Sequence, residues 1–150
     1  MTDVLEKQNN TPTPLQSQSW PIALRGQDVF GIAKSDSGAS SGKTLSYLLP
    51  ALIHINAQEP VPFGESPIVI ILTPTKELAE PVEEEIKKFG ESMRIRSTGV
   101  YDGMSKGTQI KGIESGTEIV IGSPELLLEA LIQDECINRE RGRILIEFHY

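Results

Sequence analysis

Five short runs rich in Val and Ile, at residues 29–33, 68–73, 96–101, 118–122 and 144–146, alternate along the chain with longer stretches whose apolar residues recur at helical spacing. Such runs read as strands, and strands that alternate with amphipathic helices read as an α/β fold, a parallel sheet joined by crossovers. Residues 43–56 carry Leu45, Leu48, Leu49, Leu52 and Ile53, and residues 76–89 carry Leu78, Val82, Ile86 and Phe89, so each is expected to lay one face on the sheet. Further helices are expected at 14–24, 106–114 and 124–132, the last opened by Pro124, whose fixed φ suits a first helical turn. Residues 59–67, with three prolines, read as a loop. Pro81 falls inside the 76–89 helix, where its missing N–H and its ring are expected to cost ~3 kcal/mol or to kink the chain. With no internal repeat or long low-complexity tract, the expected organisation is a flexible N-terminus over 1–10 and one domain over 11–150.

Composition narrows the class. Hydrophobic residues make up 38% of the 150 positions, enough to bury a core, and with 23% charged residues and hydrophobic stretches spread along its length the chain is not expected to be wholly disordered. A formal charge of −7 excludes a generally basic surface, so any nucleic-acid contact must be local. The basic clusters, Lys87-Lys88, Arg94 with Arg96, and Arg139, Arg141 and Arg143, read as solvated faces. A single cysteine, Cys136, forms no internal disulfide and fits a reducing compartment. The N-terminus lacks a basic segment followed by an apolar one, and no run approaches the ~20 apolar residues of a membrane span. The expectation is an intracellular protein of nucleus or cytoplasm, monomeric, with no membrane partner.

Candidate chemistry begins at Ala33-Lys34-Ser35-Asp36-Ser37-Gly38-Ala39-Ser40-Ser41-Gly42-Lys43-Thr44, between an expected strand and an expected helix. That is the setting of a phosphate-binding loop. Backbone amides at the helix start face a phosphate, Lys43 supplies a mobile positive charge, and the Thr44 hydroxyl can ligate Mg²⁺. The strict Gly-x-x-x-x-Gly-Lys-Thr spacing is not met, because Ser37 stands where the first glycine belongs. By itself the segment also fits a flexible Gly/Ser turn capping an unrelated helix.

Four further blocks carry a resemblance. Upstream lie Thr11-Pro12-Thr13-Pro14-Leu15-Gln16, then Ser17-Gln18-Ser19-Trp20-Pro21-Ile22 and Gly26-Gln27-Asp28; downstream lies Pro74-Thr75-Lys76-Glu77-Leu78-Ala79; beyond it come Tyr101-Asp102-Gly103 and Ser123-Pro124-Glu125-Leu126. In this order and spacing the chain resembles the first nucleotide-binding domain of DEAD-box RNA helicases. The blocks are similar to the family's Q motif, to its Pro-Thr-Arg-Glu-Leu-Ala motif, to its paired-glycine turn and to its Thr-Pro-Gly-Arg motif. The Lys-Gly-x-Gln-Ile run that begins at Lys106 resembles a subgroup of nuclear and cytoplasmic RNA helicases. The resemblance implies a three-layer parallel sheet of the P-loop NTPase (RecA-like) class, here incomplete, that uses ATP and Mg²⁺ and binds RNA, with helicase-associated proteins as further partners. It puts Thr13, Gln16, Gly38, Gly42, Lys43 and Thr44 at ATP, with the Gln16 amide reading adenine. It puts Pro74, Thr75, Lys76, Gly103, Ser123 and Pro124 at the RNA backbone, Lys43 and Glu147 in catalysis, and Thr44 and Glu147 at the metal.

The departures from the family bear on activity. Against Ala-x-Thr-Gly-Ser-Gly-Lys-Thr the loop carries four extra residues, 39–42, with Asp36 in a glycine's place; alternatively Ser37 to Thr44 forms the working loop, with Ser40 at the central glycine. A carboxylate beside a triphosphate repels it, so ATP affinity is expected to fall. No aromatic residue precedes Trp20 to stack on adenine. The closing run, Arg143-Ile144-Leu145-Ile146-Glu147-Phe148, aligns with the strand leading into Asp-Glu-Ala-Asp: Glu147 keeps an acid where the family holds Mg²⁺, but Phe148 replaces the glutamate that orients the attacking water. Glu125 and Leu126 replace a small residue and an arginine at the RNA backbone. The sequence ends before the family's Ser-Ala-Thr motif and second domain. Weak or absent hydrolysis is therefore expected, with a non-enzymatic RNA- or protein-binding module as the alternative and a P-loop nucleotide kinase as a more distant one.

Overall fold

The computed structural model describes residues 11–32, 40–65, 67–103, 105–133 and 144–147. The chain divides into two compact units, Met1–His54 and Ile55–Tyr150. The first holds helix α1 (Pro14–Ala23) and nearly all of α2 (Ser40–Asn56). The second runs β1 (Val69–Leu72), α3 (Lys76–Gly90), a 3₁₀ turn (Glu91–Met93), β2 (Ser97–Val100), α4 (Lys106–Glu114), β3 (Ile119–Gly122), α5 (Pro124–Gln133) and β4 (Ile144–Glu147).

The four strands form one parallel sheet in the order β2-β3-β1-β4. Its interior strand β3 shows why the runs are apolar throughout: Ile119, Val120 and Ile121 are each fully buried, which requires cover on both faces. On one face Val100 and Val120 pack with Ile113 of α4 and Leu127 of α5, and Ile70, Leu72 and Leu126 close around them. The opposite face is marked by Gly99, paired in register with Ile121. A Cβ on Gly99 would collide with the Glu83 carboxylate of α3 and with the Tyr101 ring, so α3 lies against this face. Its Ala79, Val82, Ile86 and Phe89 form the buried stripe. Helix, sheet and helix therefore make three layers, and each fully buried aliphatic side chain contributes about 1.5–3 kcal/mol.

The strands expected at 68–73, 96–101, 118–122 and 144–146 are all present within a residue or two. The one expected at 29–33 is corrected: residues 29–32 adopt no strand, and Val29, Phe30 and Ile32 are 42%, 82% and 86% exposed. Apolar β-branched composition makes a segment fit for a sheet, but a strand exists only where a neighbour supplies ladder hydrogen bonds, and among the described residues none pairs with 29–32. Ala33 lies outside the described residues. Helix α2 begins at Ser40, three positions ahead of the expected start. Helix α3 continues through Pro81 to Gly90, with Pro81 itself exposed, so the proline's ring meets solvent and the apolar stripe carries the helix past it.

At the amino end of the sheet Arg96 ties three segments together. Its Nη2 donates to Glu118 Oε1 at 2.6 Å and to the Val61 carbonyl at 3.0 Å, while Nη1 donates to the Ser115 carbonyl at 3.0 Å. The Glu118 carboxylate raises the Arg96 pKa further. This arginine braces the loop before β1. Arg139, Arg141, Arg143 and Cys136 lie outside the described residues. Among those described, no helix is long and apolar enough to cross a membrane.

Candidate functional site: a phosphate-loop helix and a flush strand edge

The first group of candidate residues is built on α1 and α2. Thr13 caps α1, its hydroxyl accepting from the Gln16 N–H at 3.3 Å, while Gln16 Oε1 accepts from the Thr13 N–H at 3.0 Å. This reciprocal capping box satisfies two orphan donors of the helix start, with Pro14 in the first turn. Gln16 is buried, and its Nε2 donates to the Gly42 carbonyl at 2.9 Å. A primary amide carries two N–H donors and two acceptor lone pairs. Thr13 and Gly42 take one of each, so one donor and one acceptor remain.

Ser19 and Trp20 complete the docking. Pro50, inside α2, has no N–H for the Ser46 carbonyl four residues earlier, which would be left orphaned. The buried Ser19 hydroxyl donates to that carbonyl at 3.1 Å, with the Gln16 carbonyl a more distant alternative at 3.5 Å. The Trp20 indole N–H donates to the Leu45 carbonyl at 3.0 Å. His54 Nε2 meets the Ala23 carbonyl at 3.2 Å near the far end of both helices. Gly42 and Lys43 stand in the first turn of α2, where they are partly buried, and Thr44 beside them is buried. Because α2 starts at Ser40, its unpaired backbone amides belong to the turn ahead of Lys43 and Thr44. Gly38 and Asp36 lie outside the described residues.

The second group occupies the carboxyl edge of the sheet. Val100 pairs with Gly122, Gly122 with Leu72, and Leu72 with Glu147, so all four strands end at one level. From this flush edge leave Pro74, Thr75 and Lys76 after β1, the turn through Gly103 after β2, and Ser123 and Pro124 after β3. Adjacent strands lie about 4.8 Å apart, which brings these loops side by side in the order of the strands, with Glu147 by register next to β1. Pro74, Thr75 and Lys76 are exposed, and Lys76 lies 3.8 Å from Glu80 on the surface of α3. The Glu77 carboxylate is held below the usual range by its own backbone N–H and then by the Thr75 hydroxyl. Gly103 has φ +87°, a conformation that favours glycine, so the turn after β2 needs it.

Two side chains hold that turn from within, and neither was anticipated. The Tyr101 hydroxyl donates to the Glu83 carboxylate of α3, and burial, then this bond, raises the Tyr101 pKa. The Tyr101 carbonyl accepts from Nε2 of the buried Gln109 of α4 at 2.6 Å. The sequence carries Gln109 only as part of the Lys-Gly-x-Gln-Ile run, with nothing to mark it as buried. For Ser19 the signal was Pro50, since a proline inside a helical stretch announces a carbonyl in need of a donor.

A parallel α/β sheet covered by helices on both faces, with its loops leaving a flush carboxyl edge, is the architecture of the RecA-like class. A sequence model of the DEAD/DEAH box helicases matches residues 13–149, and the chain belongs to that family. It is 47% identical over 135 residues to DEAD-box ATP-dependent RNA helicase 20 of Oryza sativa subsp. japonica. It is 50% identical over 146 residues to ATP-dependent RNA helicase dbp2 of Sclerotinia sclerotiorum. These alignments take in 90% and 97% of this chain but only 26% and 25% of the relatives, so the chain spans about a quarter of their length. Among solved structures, the RNA helicase Prp28 from Chaetomium thermophilum bound to ADP superposes with a TM-score of 0.78 at 28% identity, over 97% of this chain and 35% of that one. A hypothetical ATP-dependent RNA helicase from Sulfolobus tokodaii gives 0.73 at 29% identity, over 97% of this chain and 39% of that one.

Proposed function

We propose that the chain binds ATP with Mg²⁺ at the start of α2 and the RNA backbone at the carboxyl edge of its sheet, with little or no hydrolysis. The observation that carries the nucleotide reading is the unspent capacity of Gln16. After its bonds to Thr13 and Gly42, one N–H and one lone pair remain, the complement of the N7 acceptor and N6 donor of adenine. Recognition of the base then leaves the capping box and the Gly42 bond intact. Lys43 supplies positive charge for the phosphates, and Thr44 offers a hydroxyl to the cation. Among the described residues no cluster of three or more His, Cys, Asp or Glu could hold a metal by itself. That fits Mg²⁺, which is commonly held by few protein ligands together with substrate phosphates.

At the sheet edge, Thr75, Lys76, Gly103 and Ser123 offer hydroxyls, a charge and backbone amides on neighbouring loops, and the starts of α3 and α5 add partial positive charge toward phosphates. Glu125 and Leu126 in place of a small residue and an arginine reduce the charge of one loop. Catalysis is the weakest link: Glu147 stands at the strand end where an acid would serve the metal, but Phe148 has no proton acceptor with which to orient water. A binding module without turnover follows from this substitution. The setting in which it works is inside the cell, with RNA and helicase-associated proteins as partners.

Calorimetric titration of ATP with Mg²⁺ into the chain and into Lys43→Ala tests the reading. Binding that Lys43→Ala abolishes is expected; a folded chain that takes up no ATP would overturn it. An RNA-stimulated phosphate release well above background would overturn the hydrolysis-impaired part alone.

A further inference from the structure

Helix α1 is short and its buried residues, Gln16 and Ser19, are both polar. Little apolar packing therefore sets its position, and besides His54 of α2, which meets the Ala23 carbonyl at the far end, its alignment on α2 rests on three side-chain donors of its own. Gln16, Ser19 and Trp20 stand at i, i+3 and i+4, one face of a helix, and they meet the carbonyls of Gly42, Ser46 and Leu45, which again stand at i, i+4 and i+3. The two faces match residue for residue. A helix advances 1.5 Å and turns about 100° per residue, so a slip of one position would break all three bonds together and carry the Gln16 amide away from Gly42.

We propose that Ser19 and Trp20 are positioning residues for adenine selection. They touch no nucleotide; they hold α1 in register so that the spare N–H and lone pair of Gln16 stay aimed where a base would lie. The inference rests on the reading of Gln16 as the adenine contact. Ser19 is the stronger anchor, because the Ser46 carbonyl it serves has lost its helical donor to Pro50. Trp20 adds a bond to Leu45, adjacent to Thr44 in the turn that carries Lys43. Neither bond involves the amide atoms that adenine would use, so register would persist while the base engages the spare donor and lone pair of Gln16. Triphosphate binding is common to all nucleoside triphosphates and does not pass through α1, so it would be spared when these anchors are removed.

The test is calorimetric titration of ATP and of GTP, each with Mg²⁺, into the unaltered chain, Ser19→Ala, Ser19→Thr and Trp20→Phe, with circular dichroism as the check on folding. The unaltered chain is expected to prefer ATP. In Ser19→Ala and Trp20→Phe the ATP-over-GTP ratio is expected to fall about tenfold through loss of ATP affinity alone, and Ser19→Thr, which keeps a hydroxyl, is expected to restore it. Equal weakening of both nucleotides would show a merely structural role and overturn the proposal, as would an unchanged ratio beside a preserved ATP preference in the unaltered chain. An unaltered chain without ATP preference would instead overturn the Gln16 reading, and this inference with it. Should Trp20→Phe fail to fold, the two Ser19 variants decide.

Discussion

The two units of this chain solve the problem of holding a site by opposite means. In the sheet unit, Ile119, Val120, Ile121 and Val100 are sealed between α3 on one face and α4 with α5 on the other, and the candidate RNA-binding loops are carried on strand ends that this apolar core fixes at one level. In the helical unit the buried face of α1 is polar, and side-chain donors seat it on backbone carbonyls of α2. A core of this kind is non-directional and tolerates substitution of shape; a donor–acceptor ladder has a register, and one missing group leaves an unpaired partner. Stability should therefore be concentrated in the sheet unit, and ligand discrimination in the helical one.

The comparison is broken most forcefully in the core. Ile121→Ala, at a fully buried position of the interior strand, is expected to cost about 2–5 kcal/mol in urea unfolding; a loss far below that would mean the strand is less tightly enclosed than its burial shows. The polar half is probed next by a double-mutant cycle on Ser19 and Pro50. Ser19→Ala strands the Ser46 carbonyl and is expected to cost about 1–3 kcal/mol. In a Pro50→Ala background the backbone at that position regains its N–H, and the same change should be nearly neutral. Equal costs in both backgrounds would show that the proline does not create the need for Ser19.

A smaller effect is expected where the sheet unit itself relies on a directional bond. Gln109→Leu leaves the Tyr101 carbonyl without its donor, for about 1 kcal/mol of stability, and loosens the turn through Gly103. RNA affinity in a filter-binding assay should fall more than stability does; unaltered RNA affinity would remove Gln109 from the account. Smallest of all is the start of α3. Glu77 has a carboxylate pKa lowered by its own N–H and by Thr75, so its contribution is present above the ordinary glutamate range and is lost as pH falls through the lowered value. Amide protection factors at Thr75 to Leu78, taken relative to the intrinsic exchange rate at each pH, should fall there as the pH is lowered, and a flat profile would show that the Glu77 carboxylate does not brace the helix start.

How much of this was legible in the sequence follows the same division. Ile119 to Ile121 are apolar without alternation, and Val82, Ile86 and Phe89 recur at helical spacing; hydrophobicity is a property of each residue, so periodicity reveals which face it serves. Residues 29–32 show the limit of that logic, since their composition suits a strand but no ladder partner among the described residues takes them in. Lys43 and Thr44 follow from the phosphate-loop pattern ahead of a helix, and Gln16 from the family's Q motif. Ser19, Trp20 and Gln109 fall within motif runs but receive no role from the sequence, because their partners are backbone carbonyls, which every residue possesses, and only Pro50 hints at one of them. Glu147 could be aligned with a family acid, but its level beside Leu72 came only from strand register.

The central claim is that Gln16 offers adenine the one donor and one acceptor left over from its own structural bonds. Gln16→Glu keeps the shape and both acceptor positions while removing every N–H, so the Gly42 bond and the donor to the base disappear together. Titrating ATP and GTP with Mg²⁺ into this variant and the unaltered chain measures the consequence directly. The account predicts at least a tenfold loss of ATP affinity with the preference over GTP abolished; undiminished ATP binding and preference in Gln16→Glu would contradict it.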